Sequence, residues 1–175
     1  MRTYVFDIET TGLKADIHTL LVAVFGEITP DGKVKKFYTR TVLDEGGEEA
    51  LVKWVRERWV EADCLIGHNS IAFDRNFING VLLRYRLPLL PKRILIDTYQ
   101  AVKGRLRYSS HSLEALGDAL GVGKKDHPER KDWREANILT PAAVERLVTR
   151  CKEDVKLNGA VWAAVRELYH ERWGR

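Results

Sequence analysis

The chain has 175 residues, of which 45% are hydrophobic and 31% are charged. These values predict a single globular domain spanning residues 1–175, with a core of its own. No apolar run approaches the roughly 20 residues that span a bilayer, and the N-terminus resembles a strand more than a signal peptide. We therefore expect no membrane partner and a cytoplasmic location, or a viral protein acting in the host cytoplasm. The net charge of +4 suits a polyanionic partner.

The first quarter of the chain predicts three strands. Residues 3–8 alternate and are rich in β-forming side chains, and residues 20–25 form a continuous apolar run. Residues 34–41 follow the turn sequence Thr-Pro-Asp-Gly, which makes the second and third strands a hairpin. The lysines of the third strand favour a position near the sheet edge.

The remainder of the chain alternates helices with short strands. The predicted helices cover residues 48–61, 72–85, 112–120 and 140–169. The predicted strands cover residues 63–67 and 93–96. Asp97 ends the last strand as a helix cap or a neighbour of a site, and Thr140 is the expected N-cap of the final helix. This order indicates a mixed α/β sheet with helices on both faces, whereas residues 122–138 are charged and irregular.

Asp7 and Glu9 lie two residues apart on the first predicted strand, so their side chains point to the same face. Two adjacent carboxylates in an apolar strand repel each other and lose hydration, at a cost on the order of several kcal/mol per ion. A bound cation removes both penalties. Solvation at a strand end is the simpler alternative for this pair.

Two further acidic residues also need a partner. Asp74 falls in the first turn of a predicted helix, where the helix dipole by itself favours a carboxylate. Asp154 borders the apolar stripe of the last helix, where a charge requires a cation or an arginine. If the fold brings all four carboxylates to one end of the sheet, they supply the oxygen ligands that Mg²⁺ or Mn²⁺ prefers.

Three segments closely resemble motifs of the DEDD 3′–5′ exonuclease superfamily. V-F-D-I-E-T-T-G-L at 5–13 resembles the first motif, H-N-S-I-A-F-D at 68–74 the second, and C-K-E-D-V-K-L-N at 151–158 the third. Residues 108–121 are similar to the segment between the second and third motifs. Within the superfamily, the strongest similarity is to stand-alone ribonuclease H-like domains with family-B-polymerase-like exonuclease motifs.

The resemblance implies a ribonuclease H-like α/β fold, with a mixed five-stranded sheet whose first three strands are antiparallel. It implies a metal-dependent 3′–5′ exonuclease that hydrolyses single-stranded nucleic acid. DNA is our first expectation, although the sequence does not distinguish it from RNA. The catalytic residues and ligands of two Mg²⁺ or Mn²⁺ ions are then Asp7, Glu9, Asp74 and Asp154. We expect a monomer that acts on 3′ ends, with a polymerase or replication and repair proteins as partners in trans.

Several residues are candidates for contacts with the substrate. They are Thr10, Thr11, Gly12, Leu13, Asn69, Phe73, His111 and Arg150. Hydroxyl and backbone N–H groups of the 10–13 turn would meet the 3′-terminal nucleotide. Basic side chains would hold the strand through phosphate contacts and stacking, together with Tyr99 and Tyr108. These are Lys103, Arg105, Arg107, Lys124 and Lys125.

One position departs from the superfamily pattern. A tyrosine four residues before the last aspartate, or a histidine five residues before it, usually acts as the general base. Here those positions hold Arg150 and Thr149. Arg150 lies one helical turn before Asp154, so it is expected to pair with that carboxylate or to contact a phosphate.

The departure leaves three alternatives open. A histidine from elsewhere replaces the base, with His111 favoured over His68 and His127. The chain is instead a nucleic-acid-binding module whose catalysis is weakened or lost. Or it is a structure-specific endonuclease built on the same fold.

Overall fold

The structure is a computed structural model that describes residues 1–123 and 139–173, with side chains as far as residue 169. The predictions made for Lys124, Lys125 and His127 lie outside the described residues. The strands are β1 (Thr3–Thr10), β2 (Leu20–Ile28), β3 (Val34–Thr41), β4 (Cys64–Gly67) and β5 (Ile94–Asp97). The helices are α1 (Gly47–Glu61), α2 (Asp74–Arg84), α3 (Thr98–Val102), α4 (Leu113–Ala119) and α5 (Pro141–Trp173).

The strands form one sheet in the order β3-β2-β1-β4-β5. β1, β2 and β3 pair antiparallel, whereas β4 lies parallel to β1 and β5 lies parallel to β4. The predicted mixed five-stranded sheet is confirmed, and β3 lies at its edge as its lysines indicated. β1 is the middle strand, and its apolar residues are buried on both faces of the sheet.

The two faces of β1 pack against different helices because side chains alternate along a strand. Tyr4, Phe6 and Ile8 are buried in the core that contains the apolar faces of α1 and α2. Val5 belongs to the opposite core, which contains the apolar stripe of α5. Asp7 and Glu9 follow Val5 in this alternation and therefore lie on the α5 side of the sheet.

Arg84 of α2 holds the loop between β1 and β2 through hydrogen bonds. The Arg84 guanidinium donates to the Ala15 carbonyl at 2.7 Å and to the His18 carbonyl at 3.1 Å. Arg84 also pairs with Glu48 at the start of α1. The loop next to the acidic end of β1 is therefore anchored to both α1 and α2.

The boundaries differ from the prediction where tertiary contacts extend an element. β1 continues to Thr10 and β2 to Ile28, beyond the predicted ends at 8 and 25, because the antiparallel ladder with neighbouring strands continues through polar residues. α3 begins directly after Asp97, whose side chain accepts from the Tyr99 and Gln100 backbone N–H groups, so its predicted capping role is confirmed. Within the described residues, no helix has the length and apolar character required to span a membrane.

Candidate metal centre

Three carboxylates from β1 and α5 meet on one side of the sheet. Asp7, Glu9 and Asp154 each offer a carboxylate oxygen, and these oxygens lie within 4.8 Å of one another. Glu9 is 6% exposed and Asp154 is 7% exposed. Because like charges this close and this buried repel strongly, the arrangement suits a positive charge between them.

Helix α5 is positioned against β1 by a cysteine. The Cys151 thiol lies 3.3 Å from the Asp7 backbone carbonyl oxygen and 3.2 Å from Asp7 Oδ2. Cys151 is fully buried in the α5 core, three residues before Asp154. The thiol contact therefore joins α5 to β1 less than one helical turn from Asp154.

A fourth acidic residue, Asp74, lies in the first turn of α2. Its side chain is buried, and burial raises the pKa of this carboxyl well above its usual range. The negative charge of Asp7 raises the pKa further, with a smaller contribution from Asp97, while backbone hydrogen bonds from Asp74 itself and Ile8 oppose the shift. Asp7 and Asp74 therefore interact electrostatically, whereas the group of oxygens within 4.8 Å of one another consists of Asp7, Glu9 and Asp154.

Arg150 enters the same cluster. Its Nε lies 3.1 Å from Glu9 Oε1 and 3.7 Å from Asp154 Oδ2. The expected pairing with Asp154 is confirmed, and the contact with Glu9 was not expected. Arg150 is thus a component of the cluster, with only a quarter of its side chain exposed.

The donor chemistry of the cluster fits a hard divalent cation. The four acidic side chains offer only oxygen atoms, which Mg²⁺ and Mn²⁺ prefer over sulfur. A cation held by Asp7, Glu9, Asp154 and Asp74 would offset both their mutual repulsion and their lost hydration. The residues present therefore fit the metal that the sequence led us to expect.

The turn that delivers Asp74 is organised by another buried carboxylate. Asp97 accepts hydrogen bonds from the Asn69 backbone N–H at 2.9 Å and from that of Ile71 at 3.0 Å. It also accepts from the Tyr99 N–H at 3.0 Å. Asn69 adopts a left-handed conformation with φ of 59°, which the hydrogen bond to Asp97 helps to stabilise.

The predicted substrate turn at the end of β1 is stabilised by its own hydroxyl groups. Thr10 donates to the Gly12 carbonyl at 2.6 Å, and Thr11 Oγ1 accepts from the Thr19 N–H at 2.9 Å. Leu13 lies beyond these bonds and is 79% exposed. The structure therefore uses the threonines to hold the turn, while Leu13 projects an apolar side chain from it.

A small pocket adjoins this turn and Glu9. Its cavity volume is about 330 Å³. The lining residues are Ile8, Glu9, Thr10, Thr11, Gly12, Leu13 and Phe73. Phe73 is half-buried and packs on Phe77 at a ring-centroid distance of 5.7 Å. The structure thus brings the predicted 10–13 segment and Phe73 together beside the carboxylates.

A second, more polar pocket of about 510 Å³ contains two other predicted substrate residues, Asn69 and His111. The remaining lining residues are His68, Tyr99, Ser109, Ser110, Ser112 and Leu113. His111 Nε2 lies 2.9 Å from the Leu106 carbonyl oxygen, and its ring packs edge-on against Tyr99. Because a carbonyl only accepts, His111 Nε2 carries the hydrogen of this bond.

A family model described as RNase_H superfamily matches residues 4–131, which is more than half of the chain. The chain belongs to the RNase_H superfamily. The match includes Asp7, Glu9 and Asp74, whereas Asp154 lies beyond it and joins them only through the folded geometry. Membership supports a nuclease-type, hydrolytic function. No curated protein matches the sequence.

Among solved structures, this RNase_H superfamily member is similar to the family B DNA polymerase from the hyperthermophilic archaeon Pyrobaculum calidifontis. The TM-score is 0.73 at 15% sequence identity. The similarity covers 93% of this chain but only 24% of the polymerase chain. Together with the family match, this likeness confirms the ribonuclease H-like fold expected from the sequence.

Beneath the polar pocket, this chain contains a bridge of polar side chains that the sequence did not reveal. Thr98 Oγ1 lies 2.9 Å from His68 Nδ1 and 2.8 Å from Asn158 Oδ1. Thr98 is fully buried and Asn158 is 2% exposed. The sequence feature that could have indicated this bridge is Asn158, a polar residue one helical turn after Asp154 on the apolar side of α5.

The same bridge fixes the hydrogen bonding of His68, and burial affects its pKa. Burial lowers the pKa of His68, while the charges of Asp97 and Asp154 and a hydrogen bond to the His111 backbone partly oppose this. The imidazole contacts Thr98 Oγ1 through Nδ1 and is also hydrogen-bonded to the His111 backbone. His68 is therefore a structural link between β4, α3 and α5 near the cluster.

The basic residues predicted to bind a nucleic-acid strand do not all face the same pocket. Lys103 Nζ packs over the Tyr99 ring, 5.2 Å from its centroid. Arg105 donates to the Leu168 carbonyl of α5 at 2.8 Å. Lys103 thus flanks the polar pocket, while Arg105 ties the segment after α3 to α5.

Proposed function

We propose that the chain is a metal-dependent 3′–5′ exonuclease acting on single-stranded nucleic acid, with DNA as the first substrate to test. The observation that carries the proposal is the convergence of Asp7, Glu9 and Asp154 oxygens within 4.8 Å, on a fold of the RNase_H superfamily. Asp74, buried in the first turn of α2, is the fourth proposed ligand. Mg²⁺ or Mn²⁺ is the proposed cofactor.

The chemistry divides between the metal and the protein. A divalent cation bound by these carboxylates would activate water and offset charge on the scissile phosphate. Asp7 takes the central position because its carboxylate groups with those of Glu9 and Asp154, and because its charge raises the pKa of Asp74. The protein holds these groups in place before substrate arrives, so little reorganisation is needed.

Substrate binding is assigned to two pockets, one of which contains Glu9. The 330 Å³ pocket next to Glu9 takes the 3′-terminal nucleotide, with Leu13 and Phe73 as apolar walls. The polar pocket containing Asn69 and His111 takes the preceding part of the strand. An end-binding pocket adjacent to the carboxylates favours cleavage one nucleotide at a time.

No side chain is assigned as the general base. His68 and His111 are both engaged in internal hydrogen bonds, and Arg150 stays protonated. General base catalysis contributes about 10²–10⁴-fold in rate. We therefore expect a slower enzyme than one with a tyrosine or histidine at position 150 or 149.

The test is degradation of a 5′-labelled single-stranded DNA with Mn²⁺ or Mg²⁺. Wild type should give a ladder that shortens from the 3′ end, chelation should stop it, and Asp7→Asn should abolish it. Glu57→Gln is the matched control, since Glu57 is an exposed carboxylate on α1. The proposal would be contradicted if wild type did not degrade the strand, or if Asp7→Asn degraded it equally well.

Arg150 at the usual base position favours one alternative, a nucleic-acid-binding module without catalysis. In that case wild type and Asp7→Asn bind the strand and neither shortens it. A circular single strand tests the remaining alternative. An exonuclease leaves the circle intact, whereas an endonuclease of this fold linearises it.

A further inference from the structure

Arg150 places a permanent positive charge inside the carboxylate cluster. Its Nε lies 3.1 Å from Glu9 Oε1 and 3.7 Å from Asp154 Oδ2, and three-quarters of the side chain is buried. The residue precedes Asp154 by one turn of α5, so helical geometry holds both on one side. A guanidinium remains protonated throughout the physiological pH range.

The guanidinium faces oxygens that a metal ion would also need. Glu9 and Asp154 are two of the three residues whose oxygens lie within 4.8 Å of one another. A second cation approaching the same pair would meet strong repulsion, because screening is weak in a buried site. While the guanidinium is paired with Glu9 and Asp154, their charge is already partly balanced, so the pair holds a metal ion less tightly.

We propose that Arg150 replaces one of the two metal ions expected for this centre. The inference rests on the proposed metal site. The chain then binds one divalent cation tightly, chiefly through Asp7 and Asp74, while the guanidinium neutralises Glu9 and Asp154. An arginine in this position can also donate to a phosphate oxygen while retaining its ion pairs.

This assignment gives the departure at position 150 a function. Position 150 lacks a proton acceptor, and the same residue supplies the charge that a second cation would otherwise bring. Arginine suits this role because its planar group pairs with more than one oxygen at once. The expected two-metal centre becomes a centre with one metal and one arginine.

The test measures Mn²⁺ binding to the full chain by isothermal titration calorimetry, with electron paramagnetic resonance on the same samples. Wild type should bind one Mn²⁺ tightly and show no spin-coupled signal. Arg150→Gln removes the charge and should bind a second ion at least about tenfold more tightly than wild type does. A coupled signal from two adjacent Mn²⁺ ions should then appear.

Three further variants control the experiment. Arg150→Lys retains the positive charge and should keep the wild-type stoichiometry. Arg150→Met provides a second neutral variant of similar length, with thermal unfolding to check its fold. Arg166→Gln removes a charge from the same helix, roughly 24 Å along its axis, and should bind Mn²⁺ as wild type does.

Two results overturn the inference. One is a wild type that binds two Mn²⁺ ions with equal affinity, which needs no variant to interpret. The other is folded Arg150→Gln and Arg150→Met proteins that bind no more Mn²⁺ than wild type. If the binding data agree with the inference but no strand is degraded, the proposed exonuclease function fails while the role of Arg150 stands.

Discussion

Asp97 and the carboxylate cluster lie near each other in this fold, but their negative charges are compensated in different ways. Asp97 is 2% exposed and accepts four backbone N–H bonds, from Asn69, Ile71, Tyr99 and Gln100. The cluster of Asp7, Glu9, Asp74 and Asp154 instead brings acidic groups against one another. Asp97 is stabilised by the backbone, whereas the cluster requires added positive charge.

The difference distinguishes a carboxylate that stabilises the fold from carboxylates that serve function. A carboxylate whose lone pairs are filled by N–H groups stabilises the fold and has little to offer a ligand. Carboxylates held together against their repulsion reduce stability, and proteins keep such arrangements where function needs them. Asp97 supports the site by holding the turn that leads to Asp74.

The largest expected effect is that of Asp7→Asn. It should lower exonuclease activity by about 10³-fold or more, because the central ligand loses its charge. Without metal, the same variant should unfold at a higher temperature than wild type, since one repelling charge is gone. Activity assays and thermal unfolding in chelator measure the two effects, and a lower melting temperature would contradict the repulsion argument.

Asp97→Asn should have the opposite effect on stability from Asp7→Asn. The amide retains one acceptor but turns a donor toward the Ile71 N–H, so the free energy of unfolding should fall by about 1–3 kcal/mol. Denaturant unfolding measures the loss. Activity should fall less than in Asp7→Asn, and Mn²⁺ stoichiometry should not change. A variant that is as stable as wild type would show that the four N–H bonds do not organise the turn.

Cys151→Val removes the thiol contact with Asp7 while keeping an apolar side chain of similar size. Because groups that orient metal ligands typically contribute 10–100-fold, and a thiol is a weak donor, we expect roughly a tenfold loss of Mn²⁺ affinity. Calorimetry measures it, with Cys64→Val as the control, since Cys64 is the other buried free cysteine. Equal losses in both variants would indicate a packing effect alone.

Leu13→Ala should have the smallest effect. Leu13 is 79% exposed, so stability should change by less than about 0.5 kcal/mol. If its side chain stacks on the terminal base, KM for single-stranded DNA should rise about fivefold at nearly constant kcat. Steady-state kinetics decides this, and an unchanged KM would remove Leu13 from the substrate pocket.

Local periodicity was sufficient to predict much of this molecule. The two-residue spacing of Asp7 and Glu9 predicts a shared face, and helical spacing places Asp154 beside the buried stripe of α5. The apolar and polar patterns of the strands predict the mixed sheet, which the structure confirms. These features depend on neighbours within a few residues.

Other features depend on contacts distant in sequence. The pairing of Arg150 with Glu9 joins residues on α5 and β1, and the Thr98–Asn158 bond links α3 to α5. The Asp97 bonds to Asn69 and Ile71 require the parallel pairing of β4 and β5. No local pattern encodes such contacts, so the partner of Glu9 and the support for Asp74 emerged only from the structure.

Anomalous diffraction from crystals grown with Mn²⁺ tests the central claim most directly, because it locates the ion without relying on activity. One strong peak is expected, nearest to Asp7 and Asp74, with Arg150 still paired to Glu9, and no peak is expected at Asp97. Absence of any peak at the four carboxylates at saturating Mn²⁺, or a peak at Asp97, would contradict it.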